Sequence, residues 1–353
     1  GQNNVQGACD MGGLPNVFPG YQPVNDPEAN ARFSTAWNRK LSERVGYTIT
    51  EMVPAIEEGR LKALYVIGEN PKLSDPDWNH LDRAVRKLDL VVVQELFLSE
   101  TSQVADVVFP AASVAEKEGT FTNTERRCMR IRKAIEPIGN SLADWEILVR
   151  LSNAMGYPMA YGSAEDIFRE MTSLTRSYAG MSYERLGLDG LMWPCPDPNH
   201  PGTPYLHKER FLRQGGKAKF HTVSYLDPAE MPDEDYPYLL TTGRMFAHYH
   251  TGTMTRVSRH LDAEQITGYV EINPEDAESL NIKEGDPIVL SSRRGRMEAP
   301  ARLSRDVEPG IFFLPIHFGE SPANMLTNPA FDPIAKIPEF KVSAVKAEKL
   351  REP

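Results

Sequence analysis

Several features that would assign a protein to a common class are missing from this sequence of 353 residues. Its three cysteines, Cys9, Cys128 and Cys195, lie far apart and form no Cys-x-x-Cys pair, which argues against a disulfide framework and a self-contained zinc or iron–sulfur site. No apolar run approaches the roughly 20 residues of a membrane-spanning helix, so we expect no direct membrane span. The net charge of −10 leaves no overall basic character, and we expect no nucleic-acid partner.

The opening stretch, GQNNVQGACDMGGLPNVFPGYQPV, also lacks an initiator methionine, Lys, Arg and any helical or alternating apolar period. It has five glycines, several side-chain amides and one charged residue, Asp10. Buried amides must be hydrogen-bonded, and glycine lets the backbone approach a ligand closely. We predict a loop over residues 1–30, ordered only when a ligand or a partner satisfies its amides. Composition alone leaves an interdomain linker and a ligand-contacting loop as alternatives.

A doubly wound α/β domain is predicted for residues 31–156. Short apolar runs predict parallel strands at 63–71, 90–97 and 105–110. Helical spacing of apolar residues predicts helices at 81–89 and 144–156. This alternation of strand and helix is typical of a doubly wound parallel sheet.

Three polar loops follow the predicted strands, at 68–75, 94–101 and 110–127. Ligands bind at the carboxyl ends of parallel strands in such sheets. The loops contain neither a Walker motif nor a complete G-x-G-x-x-G, which disfavours a simple NTPase or a Rossmann dehydrogenase. They fit a large polar ligand bound by many single hydrogen bonds, with ordinary solvated loops as the alternative.

Residues 236–353 predict a β-barrel, because six short strands alternate with turns and one helix capped by Asn273. Residues 157–235 are rich in Pro, Gly and Tyr and predict an irregular connecting region. A polar stretch at 241–256, TTGRMFAHYHTGTMTR, ends the first barrel strand. Its Arg suits an anionic or amide-rich ligand. Its histidines have no third metal ligand nearby, so we predict no metal site.

Together these stretches resemble the catalytic (alpha) subunit of molybdenum- or tungsten-dependent formate dehydrogenases, within the molybdopterin oxidoreductase family. The resemblance covers nearly the whole chain and is carried in order by the opening stretch, ALYVIGENP, VVVQELFLSETSQVADVVFPAAS, EKEGTFTNTERR, DWEIL, MGYPM, TTGRMFAHYHTGTMTR, GYVEINPEDA and NPAFDPIAKIPEFKVSAVKAE. It implies a C-terminal half whose opening loop follows an Arg beside the metal. The catalytic residues, namely the metal-binding Cys or selenocysteine and its adjacent His, and a [4Fe-4S] cluster are then expected upstream of Gly1. Cys9 does not match the metal-ligand position.

The resemblance also implies a cofactor, a Mo- or W-bis(molybdopterin guanine dinucleotide). It assigns one guanine dinucleotide to residues of the α/β domain, namely Gly68, Glu69, Asn70, Gln94 and Asp144. It assigns the pterin side to residues of the barrel, namely Arg244, His248, Tyr249, His250, Thr251, Asn324 and Lys341. Gln2 is expected near the metal end. Ile316 and His317 stand where the family often has an aromatic residue or an amide, and they receive no role.

The implied reaction is the oxidation of formate to CO2 with two electrons passed to the metal. The implied partners are the upstream half of the same subunit, iron–sulfur electron-transfer subunits and formate or CO2, and the expected location is the cytoplasm. The isolated chain is predicted to be inactive. Three alternatives stay open: another molybdopterin oxidoreductase such as a nitrate reductase, a pterin-binding module without turnover, and a structural fragment that binds no ligand.

Overall fold

The computed structural model of the protein describes residues 3–213 and 215–350. The chain forms two compact units, each built from two segments. The first unit contains residues 1–48 and 110–223, and the second unit contains residues 49–109 and 224–353. The first two predicted strands of the parallel sheet therefore share a unit with the predicted barrel. The domain boundaries predicted from the sequence stay a prediction.

Ten α-helices and fourteen β-strands lie within the described residues. The helices are α1 (Val5–Asp10), α2 (Pro27–Ala36), α3 (Ile49–Glu57), α4 (Pro71–Ser74), α5 (Trp78–Val85), α6 (Asp144–Ala154), α7 (Ala164–Leu174), α8 (Tyr183–Leu186), α9 (Arg259–Glu264) and α10 (Pro274–Ser279). The strands are β1 (Val17–Phe18), β2 (Gln22–Pro23), β3 (Ala63–Ile67), β4 (Leu90–Glu95), β5 (Val107–Pro110), β6 (Gly119–Thr122), β7 (Arg127–Ile131), β8 (Leu191–Met192), β9 (Tyr238–Gly243), β10 (Val270–Ile272), β11 (Pro287–Ser291), β12 (Arg296–Leu303), β13 (Ile311–Pro315) and β14 (Ser343–Lys349). None of these helices is long and apolar enough to cross a membrane.

The first unit begins with a helix, α1, where the sequence predicted a loop, and that prediction is wrong there. Asp10, the last residue of α1, is fully buried. Its carboxylate accepts hydrogen bonds from Gln6 Nε2 at 2.8 Å, from Trp193 Nε1 at 2.7 Å and from the Tyr178 hydroxyl. Neutral donors from distant parts of the unit thus satisfy a buried carboxylate and fix the helix.

Two amides of the opening stretch are also satisfied by the protein itself. The Asn4 side-chain oxygen accepts from the Thr122 backbone N–H at 2.9 Å. Gln22 Nε2 donates to the carbonyls of Pro19 at 2.7 Å and Leu174 at 3.1 Å. For these two residues, no ligand is needed to account for an ordered side chain.

Helices α7 and α8 lie in the segment that the sequence analysis treated as irregular. The Ser163 hydroxyl caps the start of α7. Phe168 and Met171 of α7 are buried in one apolar cluster with Tyr178 and Leu186. This cluster packs beside the antiparallel sheet β6-β7-β8, to which it is joined by the buried Cys128 of β7.

The helix predicted at 144–156 is α6, and Gly156 after it has a φ of 80°, a left-handed conformation that favours glycine. The apolar side chains of α6 and of Met155 after it are unevenly covered by the described residues. Ile147 is buried, whereas Leu148 is 37% exposed and Met155 is 78% exposed.

The second unit contains the predicted parallel sheet, with strands in the order β3-β4-β5 and β3 parallel to β4. Apolar side chains of helix α5 pack against those of strand β4 and form the core of this part. They are Leu81 and Val85 of α5 and Val91 and Val93 of β4. The carboxyl ends of β3 and β4 lie at the same edge, because the strands are parallel and adjacent. The first two polar loops predicted to bind a ligand, at 68–75 and 94–101, begin at that edge.

The second unit also contains a closed barrel with the strand order β10-β12-β11-β14-β9-β13. Residues of β12 alternate between buried and exposed, with Met297, Ala299 and Ala301 facing the core. The predicted α/β-plus-barrel fold is confirmed. Asn273 caps α10 as predicted, its side chain accepting from the Glu275 N–H at 3.0 Å, but a second helix, α9, also interrupts the strands.

Candidate functional site

Asn70 follows β3 and uses its whole side chain to join three loops of the second unit. Its Oδ1 accepts from the Thr101 backbone N–H at 3.2 Å and from the Thr101 hydroxyl at 2.7 Å. Its Nδ2 donates to Glu100 Oε2 at 2.6 Å and to the Thr253 hydroxyl at 3.2 Å. Thr253 in turn lies 3.0 Å from the hydroxyl of Thr251. An amide offers two donors and two acceptor lone pairs, so the Asn70 side chain is fully engaged.

Asn324 links the barrel to the same edge of the sheet. This buried residue donates from Nδ2 to the carbonyls of Leu73 and Ser74, both at 2.9 Å. Its Oδ1 accepts from the Thr327 hydroxyl at 3.1 Å. The end of α4, immediately before Asp75, is therefore fixed from the barrel.

Two carboxyl groups in the loop after β3 have raised pKa values. Burial raises the pKa of Asp75 to about 7, a hydrogen bond from Ser74 opposes this, and the charge of Glu69 adds to it. Desolvation also raises the pKa of Glu69, although this residue is exposed. Among the described residues, no Lys or Arg contributes to either pKa. Carboxyls held without a cationic partner suit a ligand that donates hydrogen bonds.

Two basic residues near the end of β9, Arg244 and Lys341, have no carboxylate partner among the described residues. Arg244 is exposed, and no described carboxylate forms an ion pair with it. Desolvation and then the charge of Arg244 lower the pKa values of His250 and Lys341. Lys341 Nζ donates to the Thr242 carbonyl at 2.6 Å. Basic groups that repel one another and lack a counter-ion suit an anionic ligand.

Both ring nitrogens of His248 form hydrogen bonds to nearby residues of the chain. Its Nε2 lies 2.8 Å from the Gln265 carbonyl, which can only accept, so Nε2 carries the proton. Its Nδ1 then accepts from the Thr255 hydroxyl at 3.2 Å. The Tyr249 backbone N–H donates to the same hydroxyl at 3.2 Å. Both ring nitrogens of His248 thus have partners within the protein.

Gly68 follows β3 directly, and Gln94 lies on the neighbouring strand β4. Gly68 has a φ of 63°, is exposed, and has open space where a Cβ would stand. Its N–H donates to the Gln94 carbonyl at 2.9 Å. The Gln94 side chain is fully buried and accepts from the Tyr65 hydroxyl at 2.6 Å. Of this pair, Gly68 has open space beside an exposed backbone, and the buried Gln94 side chain is bonded within the sheet.

Two predicted site residues are not part of this group. Asp144 begins α6 in the first unit and pairs with Lys117 Nζ. Gln2 lies outside the described residues. All the other predicted site residues are in the second unit. Within residues 3–213 and 215–350, no group of three or more His, Cys, Asp or Glu could hold a metal ion.

Comparison with known families gives two matches. The model for the molybdopterin oxidoreductase family matches residues 1–154, and the model for the molydopterin dinucleotide binding domain matches residues 238–344. The chain belongs to the molybdopterin oxidoreductase family. Its barrel segment is a molybdopterin dinucleotide-binding domain, which confirms the predicted kind of cofactor.

Similar proteins include formate dehydrogenases and a nitrate reductase. The F420-dependent formate dehydrogenase subunit alpha of Methanocaldococcus jannaschii is 52% identical over 99% of this chain and 52% of its own length. Formate dehydrogenase H of Escherichia coli is 37% identical over 99% of this chain and 49% of its own length. The assimilatory nitrate reductase catalytic subunit of Bacillus subtilis is 38% identical over 98% and 50%. The chain thus spans about half the length of the curated relatives it matches.

A solved structure with a similar fold is the acetylene hydratase from Pelobacter acetylenicus. Its TM-score is 0.66, over 92% of this chain and 50% of that chain. The two sequences are 16% identical, so this likeness concerns the fold alone.

The residues of this molybdopterin oxidoreductase chain fit a molybdopterin guanine dinucleotide. Diphosphate oxygens are anionic acceptors, which suits the uncompensated charge of Arg244 and Lys341. Guanine presents N–H donors on one edge, which suits the carboxyls of Glu69 and Asp75. Both groups of residues lie in the second unit.

Sequence reasoning missed Asp75, Glu100 and His317. Asp75 and Glu100 lie in loops that the sequence did single out, but nothing local shows that Asp75 is desolvated without a cation beside it or that Glu100 accepts from Asn70. His317 is fully buried beside the loop that contains Arg244. Its position at the end of a barrel strand was the available signal.

Proposed function

We propose that the chain is the C-terminal, cofactor-binding part of the catalytic subunit of a molybdenum- or tungsten-dependent formate dehydrogenase. The whole enzyme converts HCOO⁻ into CO2, H⁺ and two electrons. Three relatives that are 50–52% identical over 99% of the chain are F420-dependent formate dehydrogenase alpha subunits, which supports this reaction over others. The observation that carries the proposal is that the second unit contains both basic groups without a carboxylate partner and carboxyls without a cationic partner among the described residues.

In this proposal the loop after β3 binds the guanine end of one dinucleotide. Glu69 and Asp75 accept hydrogen bonds from guanine N–H groups, and Gly68 lets the ligand approach the backbone. Asn70 and Gln94 hold that loop and the neighbouring strand in place. The cofactor-binding role of Asp144, which lies in the first unit, stays a prediction. The expected position of Gln2 near the metal end stays a prediction.

The barrel binds the pterin side of the cofactor. Arg244 and Lys341 neutralise anionic groups of the ligand, and His250 contributes as a neutral hydrogen-bonding group. His248, Tyr249, Thr251 and Asn324 hold the loops in place. When bound, the metal bis(molybdopterin guanine dinucleotide) supplies the two-electron redox chemistry.

The remaining half of the subunit supplies what this chain does not. We propose that it carries the metal-binding Cys or selenocysteine, the adjacent His and a [4Fe-4S] cluster. Iron–sulfur subunits then take the electrons onward. The names of the relatives make F420 the first electron acceptor to try.

The test is to purify the complete enzyme and analyse it in parallel for metal, nucleotide and activity. We expect Mo or W, GMP released by acid, and reduction of a viologen dye that depends on formate. F420 reduction with formate would identify the acceptor. If the purified enzyme contains metal and GMP but does not oxidise formate, the proposed reaction is overturned and the proposed cofactor is retained.

A nitrate reductase is the second candidate, because the Bacillus subtilis relative is 38% identical over nearly the whole chain. The same purified enzyme, supplied with reduced viologen and nitrate, separates the two. Nitrate-dependent oxidation of the dye without formate-dependent reduction would favour this candidate. Absence of both GMP and metal would leave neither reaction supported.

A further inference from the structure

His317 connects the two ends of one loop of the barrel. Residues 244–252, here called the Arg244 loop, follow β9. The Met245 backbone N–H donates to His317 Nε2 at 2.8 Å. His317 Nδ1 bonds to the His250 carbonyl at the other end of the loop. One imidazole thus spans a segment that begins at Met245 and ends at His250.

These two partners fix the tautomer of the ring. A backbone N–H can only donate, so Nε2 is the unprotonated acceptor. A carbonyl can only accept, so Nδ1 carries the proton. His317 is fully buried, and burial lowers its pKa to about 4, which keeps the ring neutral near pH 7. A protonated ring would place a second donor against the Met245 N–H and lose that bond.

Two residues of the Arg244 loop, His250 and Gly252, have left-handed backbone conformations, and Gly252 lies close to the His317 backbone. His250 has a φ of 48°, a left-handed conformation that is uncommon for residues other than glycine. Gly252 has a φ of 75°, and a Cβ there would stand 2.5 Å from the His317 carbonyl oxygen. Between the two fixed ends, Phe246 is fully exposed, and Arg244 immediately before the first end is exposed as well.

We propose that His317 is a positioning residue that fixes both ends of the Arg244 loop and thereby sets where the Arg244 guanidinium meets the anionic part of the cofactor. This inference rests on the proposed function for its ligand, and on contacts within the barrel for its mechanism. A freely moving loop would have to be ordered at each binding event, and a fixed one avoids that cost.

Three variants of the complete subunit dissect the two bonds. His317→Phe keeps an aromatic ring and removes both bonds. His317→Asn places an amide N–H near the position of Nδ1, and His317→Gln places an amide oxygen near the position of Nε2, so each keeps one bond. Leu290→Ala is the control. Leu290 is a fully buried residue of the barrel core, so its truncation should destabilise the same unit without removing a contact of the Arg244 loop.

Hydrogen exchange of the cofactor-free protein is measured first. We expect faster exchange in peptides covering 244–252 for His317→Phe, a smaller effect for His317→Asn and His317→Gln, and no loop-specific effect for Leu290→Ala. Exchange that rises evenly over the barrel in the His317 variants would overturn the inference, because it would make His317 an ordinary core residue.

Cofactor content of the purified enzyme is measured second, as GMP per subunit. We expect His317→Phe to lower it about tenfold relative to Leu290→Ala. Wild-type GMP content in His317→Phe would overturn the positioning role, even if the loop exchanges faster. A wild-type enzyme without GMP would overturn the ligand and the proposed function together, and the exchange result would then show separately whether His317 fixes the loop.

Discussion

Arg244 differs from the arginines that have carboxylate partners in the second unit. Arg256 pairs with Asp262 and Glu320, whereas Arg244 has no such partner among the described residues. We expect Arg244→Ala to lower cofactor affinity by about one to two decades, because a charged hydrogen bond contributes about 1.5–3 kcal/mol. GMP and metal per protein in the complete enzyme measure this.

The same change should leave the cofactor-free protein nearly as stable as the wild type, within about 0.5 kcal/mol, since Arg244 makes no ion pair with any residue that the structure describes. Arg305→Ala, at an exposed position between β12 and β13, is the matched control and should change neither quantity. Unchanged GMP content in Arg244→Ala would refute its role in binding. An equal loss of GMP in both variants would point to a general effect of charge.

His317 and Asp75 contribute to stability with opposite dependence on pH. Desolvation chiefly, with the charges of His248, Arg244 and His250, lowers the pKa of His317 to about 4. The unfolded imidazole titrates at about 6.5, so this contribution is complete above that pH and is lost by pH 4, about 3 kcal/mol in all. The pKa of Asp75 is raised to about 7, so its contribution is complete below about pH 3.9 and is lost as the pH rises to 7.

Two variants separate these contributions. In Asp75→Asn the thermal midpoint of the cofactor-free protein should fall more steeply than in the wild type as the pH drops from 6.5 to 4. In His317→Gln it should fall less steeply over the same range. Parallel curves for all three proteins would mean that neither group titrates as described.

At the scale of secondary-structure elements, the Arg244 loop depends on Gly252. A Cβ at Gly252 would meet the His317 carbonyl oxygen at 2.5 Å, and the φ of 75° is left-handed. Gly310 has a φ of 84° with open space around it and is the matched control. Gly310→Ala should lower the free energy of unfolding by about 1–3 kcal/mol because of its φ alone. We expect Gly252→Ala to lower it by more, because the new Cβ also meets the His317 carbonyl oxygen. Equal losses in denaturant titrations would show that the loop can move away from His317.

The contact between the barrel and α4 depends on Asn324. Asn324→Leu keeps the size of the side chain but leaves the carbonyls of Leu73 and Ser74 without their donor. We expect a loss of about 1–3 kcal/mol for the buried Leu73 carbonyl and a smaller loss for the half-buried Ser74 carbonyl. Asn79→Leu is the control, because the Asn79 amide donates a single bond, to the Arg294 carbonyl at 3.1 Å. Thermal midpoints that fall equally in the two variants would contradict this account.

The elements that could be predicted are those with local signals. The strands β3 and β4 are apolar runs ended by polar loops, and α10 begins with a cap, a proline and two acidic residues. The helix α1 was missed because its buried Asp10 is satisfied by Tyr178 and Trp193, which are 168 and 183 residues away. His317 was left without a role for the same reason, since its partners lie in another loop. Long-range hydrogen bonds leave no periodic trace in the sequence.

At the scale of the whole molecule, the chain by itself should not oxidise formate. The described residues contain no candidate metal centre, and the curated relatives it matches are about twice as long. Purified chain should give no formate-dependent reduction of viologen above a control without enzyme. Activity should appear when the remaining half is supplied on the same or a separate polypeptide. Dye reduction by the chain alone would contradict the division of roles proposed here.

The hydrogen bonds from Asn324 to the end of α4 cannot form until late in the synthesis of the chain. Leu73 and Asn324 are 251 residues apart, and the second segment of the first unit, residues 110–223, is synthesised between them. At about 5–20 residues per second, the Leu73 carbonyl waits roughly 10–50 s on the ribosome before its donor exists. During that interval the sheet edge that later receives the barrel is open to chaperones, to water and to wrong partners. A nascent chain stalled before residue 324 should therefore keep residues 71–75 accessible to protease.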